Sequence, residues 1–224
     1  MNETDIIQTL EKTGALLSGH FELRSGLHSN RFFQCANVLR YPRIAAQLCD
    51  ELVRRMKESG ARAPSPADVT MPTLTETHQP EFIPSAHSGR GARVPDSTVD
   101  GVISPALGGI LVGHEVARAL DVKCIFAEKQ DGALVMRRFT MKPGERYVVA
   151  EDVITRGGRV QETIDLVKAA GAEVVAVLVL VDRSAGQASF DYPTFSLLKM
   201  APEVWEPAAC PLCAQKVPFV HPGS

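Results

Sequence analysis

Apolar residues recur every four positions between 42 and 58: Ile44, Leu48, Leu52 and Met56, with Val53 beside them. That spacing lays one apolar stripe along a helix. Pro42 suits its first turn, and Asp50–Arg54 and Glu51–Arg55 stand four apart on the polar side. Ile6, Ile7, Leu10, Leu16 and Leu17 mark one face of a second helix, expected over 4–18 with Thr4 or Asp5 as cap. Residues 19–33 alternate about Ser25-Gly26 instead, the pattern of a short hairpin. Beyond residue 98 the period switches repeatedly. Strands are expected over 99–104, 122–127, 133–139, 146–150 and 173–181, and helices over 108–120 and 158–170.

Strands that are apolar throughout and alternate with helices define an α/β fold with a mostly parallel, doubly wound sheet. Ligands bind such sheets at the carboxyl ends of the strands, here just after residues 104, 127, 150 and 181. The stretch 59–98 carries neither period. Six of the 15 prolines fall in it and Phe82 is its only aromatic, so it reads as a flexible surface insertion. The organisation expected is a helix and small hood over 1–41, a core helix over 42–58, the insertion over 59–98, an α/β core over 99–200 and a tail over 201–224.

Composition narrows the field without naming a chemistry. The 224 residues are 45% hydrophobic and 22% charged, with net charge -2. No basic tract favours nucleic acid, and no apolar run approaches the ~18 residues of a membrane span. The acidic start Met1-Asn2-Glu3-Thr4-Asp5 lacks signal-peptide character. A cytoplasmic protein is expected. Cys35, Cys49 and Cys124 are scattered, as small buried side chains are, whereas Cys210-Pro211-Leu212-Cys213 has metal-knuckle spacing. No second C-x-x-C occurs. His221 is one candidate third ligand, Cys35, Cys49 or Cys124 others if near, and two tails of a dimer could also pair, so no metal centre is assigned.

The most informative string is Val148-Val149-Ala150-Glu151-Asp152-Val153-Ile154-Thr155-Arg156-Gly157-Gly158-Arg159. A strand runs into two carboxylates, then into glycines and arginines that open a helix. Glycines let backbone N–H groups approach a phosphate, and the helix start adds further donors. Arg156 and Arg159 add charge-assisted bonds. Two carboxylates beside a phosphate cradle require a ligand with hydroxyls or a divalent metal, and a sugar phosphate with Mg²⁺ supplies both. It is not a Walker A loop, which needs a G-x-x-x-x-G-K-[ST] string.

This string resembles the phosphoribosyl pyrophosphate (PRPP) signature of the type I phosphoribosyltransferases. It departs from the family in having Arg156 and Arg159 where hydroxyl residues often stand. The hairpin Phe21-Glu22-Leu23-Arg24-Ser25-Gly26, followed by Asn30-Arg31-Phe32-Phe33, resembles the base-covering segment of the orotate members. A flat base bearing a carboxylate wants aromatic contact and a cation.

The resemblance implies a type I phosphoribosyltransferase fold with an N-terminal hood, and transfer of phosphoribose from PRPP to orotate in pyrimidine synthesis. It implies Mg²⁺ as cofactor and PRPP contacts from Lys129, Glu151, Asp152, Val153, Ile154, Thr155, Arg156, Gly157, Gly158 and Arg159. It implies orotate contacts from Arg24, Phe32, Phe33, Thr155 and Arg183. Lys129, Glu151 and Asp152 take the catalytic places. A homodimer with shared sites is implied, in which the loop around Lys129 serves its neighbour. Only Lys129 of that loop's usual pattern is present, with Glu128 in place of an arginine and Arg137 and Arg138 as substitute charge. A Gly-rich turn, Ser104-Pro105-Ala106-Leu107-Gly108-Gly109, has Gly108 where relatives often carry lysine. A phosphoribosyltransferase for another base, and a non-catalytic PRPP-binding regulator, stay open alternatives.

Overall fold

The computed structural model describes residues 1–59 and 99–222. The expectation of a flexible insertion over 59–98 lies, but for Ser59, outside the described residues.

Six strands form the main sheet: β3 (Gly101–Pro105), β4 (Lys123–Gln130), β5 (Ala133–Val135), β6 (Arg146–Ile154), β7 (Glu173–Asp182) and β8 (Thr194–Lys199), in the order β5-β4-β3-β6-β7-β8. All neighbours are parallel except the β4–β5 hairpin. Residues along β7 alternate between two cores. Leu178 and Leu180 face α3 (Pro42–Glu58) and α4 (Gly108–Leu120), whereas Val177 and Val179 face α5 (Gly158–Ala169). A strand buried on both faces has no use for polar positions, which is why β7 reads as one apolar run.

The helix over 42–58 forms as its stripe dictates, burying Leu48, Leu52 and Met56. The first helix does not. α1 (Glu3–Lys12) stops early, because Gly14 turns left-handed (φ 71°) and the Ala15 N–H returns to the Leu10 carbonyl. Leu16 and Leu17, apolar enough for either element, begin β1 (Leu16–Glu22). β1 pairs with β2 (His28–Phe33) as the expected hairpin.

A third strand, β9 (Val204–Trp205), joins this hood by pairing with β2. On the other edge Val220 exchanges backbone hydrogen bonds with β1, accepting from Glu22 and donating to His20. Residues from the 201–222 stretch therefore border the β1–β2 hairpin on both edges. A short helix, α2 (Ala36–Leu39), leads from the hood into α3. A 3₁₀ turn over Pro207–Ala209 and a last helical turn, α6 (Pro211–Ala214), follow β9. No described helix is long and apolar enough to cross a membrane.

Candidate active site

The carboxyl ends of β3, β6 and β7 converge beneath the hood. Glu151 and Asp152 lie within β6, which runs four residues further than the expected 146–150. Glu151 is buried, and its Oε1 accepts the Asp152 N–H at 3.0 Å. Asp152 turns back on itself, its Oδ1 accepting the Val153 N–H at 2.9 Å. Burial raises the pKa of both carboxyls, and for Glu151 the adjacent Asp152 charge adds to the rise. A pair held in this way is poised to gain from hydroxyl donors or a cation.

The first turn of α4 seats against the pair. A Cβ on Gly108 would come within 2.9 Å of Asp152 Oδ2, and one on Gly109 within 2.9 Å of Glu151 Oε1. A side chain at 108 or 109 would therefore require the facing carboxylate to shift.

After Ile154, residues 155–157 bend and deliver Gly157, left-handed at φ 80°, as the N-cap of α5. A side chain there would strain the left-handed backbone and crowd Phe190, whose Cζ a Cβ would approach to 2.9 Å. Thr155, Arg156 and Gly158 are exposed along the bend, while Val153 is half-buried. Arg159 is half-buried with Nη1 enclosed and without a hydrogen-bond partner, and its charge opposes the rise in the Glu151 pKa. A buried guanidinium nitrogen without an acceptor, beside a free helix start, is a place for an anion.

Arg183 follows β7, its N–H donating to the Ile154 carbonyl at 2.9 Å. Its guanidinium carbon stands 6.0 Å from the centre of the Phe33 ring. Burial lowers the Arg183 pKa from its usual value. Phe33 and Arg183 therefore meet across the seam between hood and core. Phe32 does not join them. Neighbours on a strand face opposite ways, and its ring packs 6.0 Å from that of Phe21. Cys35, which no sequence signal marked, underlies the seam with its thiol 3.9 Å from the Asp152 carbonyl. Burial first, then the Asp152 and Glu151 charges, raise its pKa.

Two expected residues stand apart. Arg24 is exposed at the tip of the β1–β2 turn. Lys129, expected in a loop past a strand end, lies within β4 opposite Leu134 and is exposed. The strand expected over 133–139 ends at Val135, and Arg138 is bound to Glu128 at 3.1 Å. The charge expected from Arg138 is thus already opposed by the residue that replaced the family's arginine.

A parallel sheet whose strand ends carry a carboxylate pair and an anion loop is the architecture of a phosphoribosyl-transferring domain. The family model for the phosphoribosyl transferase domain matches residues 95–212. An orotate phosphoribosyltransferase of Desulforamulus reducens is 44% identical over 225 aligned positions, covering 100% of this chain and 98% of that protein. One of Carboxydothermus hydrogenoformans is 42% identical, covering 98% and 97%. The chain belongs to the phosphoribosyl transferase family and, within it, to the orotate phosphoribosyltransferases. Solved structures share the fold more widely. The Aeropyrum pernix orotate phosphoribosyltransferase superposes with TM-score 0.56 at 20% identity, covering 87% of this chain and 93% of that one. An adenine phosphoribosyltransferase of Rhodothermus marinus reaches the same TM-score at 16% identity, covering 88% and 99%.

Proposed function

We propose that this site transfers the 5-phosphoribosyl group of PRPP to orotate, giving orotidine 5′-phosphate and pyrophosphate. The observation that carries the reading is the Glu151–Asp152 pair, Glu151 buried and Asp152 half-buried, directly before the 155–159 anion loop. The fold serves adenine enzymes equally well, so the base is argued from full-length relatives and from Arg183 over Phe33.

The 5′-phosphate is received by the N–H groups of 155–158 and by Arg159. The ribose hydroxyls donate to Glu151 and Asp152, which also face the positive charge that develops at C1′. The C1′–oxygen bond to pyrophosphate breaks as the C1′–nitrogen bond to the base forms. Little covalent work falls to the protein, so positioning and electrostatics supply most of the acceleration. Orotate lies in the hood–core seam with its carboxylate toward Arg183 and its ring against Phe33, while Arg24 closes from the hairpin tip. The oxygen donors of Glu151 and Asp152 suit Mg²⁺ arriving on PRPP. When bound, the ion offsets charge on the leaving pyrophosphate.

Lys129, exposed on the β4–β5 hairpin, serves the pyrophosphate of a second subunit in a homodimer. The setting is cytoplasmic, with neither nucleic acid nor membrane as partner. The test is loss of orotate absorbance with PRPP and Mg²⁺, run beside adenine, guanine and uracil. Turnover of orotate alone is expected; turnover of a purine in its place, or of no base, overturns the assignment.

A further inference from the structure

We propose that the hood holds a structural zinc ion, bound by His20, His28, Cys210 and Cys213. The sequence drew attention to the cysteine pair and suggested His221, distant cysteines or a second chain's tail beside it. The structure selects other partners. His221 lies instead near Glu22, with Nε2 3.6 Å from the carboxylate. His20 comes from β1, His28 from β2, and the two cysteines flank the first turn of α6. One ligand atom from each of the four lies within 4.8 Å of all the others. His20, His28 and Cys210 are buried, Cys213 is partly so, and no disulfide joins the cysteines.

The four donor atoms are clustered closely enough for one tetrahedral ion after small side-chain adjustments. Zinc with bonds of about 2.3 Å to sulfur and about 2.0 Å to nitrogen holds its donors about 3.3–3.8 Å apart. Here His20 Nε2 is 2.8 Å from His28 Nδ1, 3.4 Å from Cys210 Sγ and 3.8 Å from Cys213 Sγ, and Cys213 Sγ is 3.2 Å from His28 Nδ1. His20 Nδ1 lies 2.7 Å from the Val217 carbonyl, an acceptor only, so that nitrogen carries the proton. Nε2 of neutral His20 is then a lone pair, the state a metal requires and the tautomer such second contacts fix. Three groups approach this one nitrogen, yet it can make one hydrogen bond. A cation at the centre satisfies all four atoms together. Two thiolates and two imidazoles in a tetrahedron favour zinc over harder divalent ions.

The position gives the ion a task. His20 and His28 flank the turn that carries Arg24, and the cysteines follow β9. Phe219 covers the cluster, its ring centre 5.5 Å from that of His20 and 5.0 Å from that of His28. The ion would therefore pin residues 210–213 to the base of the hairpin and fix the hood as one unit. This proposal stands apart from the reaction assigned above, since its first readout is metal content.

The experiment uses the full chain without a histidine tag, dialysed against a weak chelator. Elemental analysis should find roughly one zinc per chain, the single tetrahedral site described. Cobalt substitution should give intense tetrahedral d–d absorption and thiolate charge transfer. Cys210→Ser with Cys213→Ser should lose the metal and the cobalt bands, whereas Cys49→Ser and Cys124→Ala keep both. If the serine variant does not fold, mercurial titration of the wild type should release its zinc as thiols react, in proportion to thiolate consumed. Wild type that neither contains nor takes up zinc overturns the proposal. So do a Cys210–Cys213 disulfide in freshly purified protein, iron in place of zinc, or zinc retained by the serine variant.

Discussion

Gly108 shows how finely single atoms set this site. Its missing Cβ would stand 2.9 Å from Asp152 Oδ2 and 3.0 Å from Oδ1. Asp152 cannot swing aside freely, because Oδ1 already accepts the Val153 N–H. Gly108→Ala should therefore displace the carboxylate and lower kcat/KM for PRPP by about tenfold or more, since small misplacements at a reacting centre are costly. The thermal midpoint should stay close to wild type, and a large drop in it with normal kcat/KM would refute the contact argument. Arg183 tests the other half of the site. Arg183→Ala should raise KM for orotate with little change in KM for PRPP. Loss of a charge-assisted contact costs ~2–3 kcal/mol. Steady-state kinetics varying each substrate in turn separates the two, and a rise confined to PRPP would place Arg183 elsewhere. The carboxylate pair and the glycines were legible in sequence because their order is chemically peculiar. That Gly108 fits a carboxylate, or that Cys35 underlies it, was not. The first depends on β3 and β6, some forty residues apart in the chain, becoming neighbours, and the second on how the start of α2 packs against β6.

Elements were legible where one period held without competition. α3 spans the stripe read from residues 42–58, and β7 extends the expected 173–181 by a single residue. Failures fell where apolar residues suit two elements, as at Leu16–Leu17, or where pairing simply stops, as after Val135. The polar side of α3 also did more than its spacing implied. Glu51 is buried and accepts from Arg54 and Arg55, and Arg55 goes on to donate to the Ser196 and Leu197 carbonyls of β8 at 2.9 Å each. The i,i+4 pair is thus a brace between helix and edge strand. Hydrogen bonds from Arg54 foremost, against the opposing effect of burial, lower the Glu51 pKa from 4.5 to about 2. A depressed folded-state pKa stabilises above the unfolded value, and the gain is lost as pH falls through the folded one. Stability from this carboxylate should be complete above pH ~5 and fade between ~4.5 and ~2. Glu51→Gln should cost on the order of 1–2 kcal/mol at neutral pH, discounted because Arg54 is half-exposed. Urea unfolding at pH 7 and pH 3 checks it. A difference between the two proteins that fails to shrink at pH 3 would contradict the assignment.

At the scale of the whole molecule, the proposed service of Lys129 to a second subunit's site makes a prediction that subunit mixing can check. Mixing Lys129→Ala with Asp152→Asn, each nearly inactive alone, should restore roughly a quarter of wild-type activity. Half the dimers are mixed after random exchange, and each has one intact site. No recovery, despite exchange proven by mass-tagged subunits, would confine Lys129 to its own chain.

The hood has a further consequence, in time rather than space. Its strands come from residues 16–33 and 204–205, so the chain between them, holding the entire α/β sheet, must emerge before β9 can dock on β2. Contacts so distant in sequence form late. Trp205, the single tryptophan, lies in β9 opposite His28 and reports that docking alone. In refolding, its fluorescence should lag behind the far-ultraviolet signal of the sheet, and simultaneous recovery would show otherwise. A nascent chain would then own both the cradle for the sugar phosphate and the β1–β2 hairpin above it before β9 arrived to brace that hairpin at its open edge.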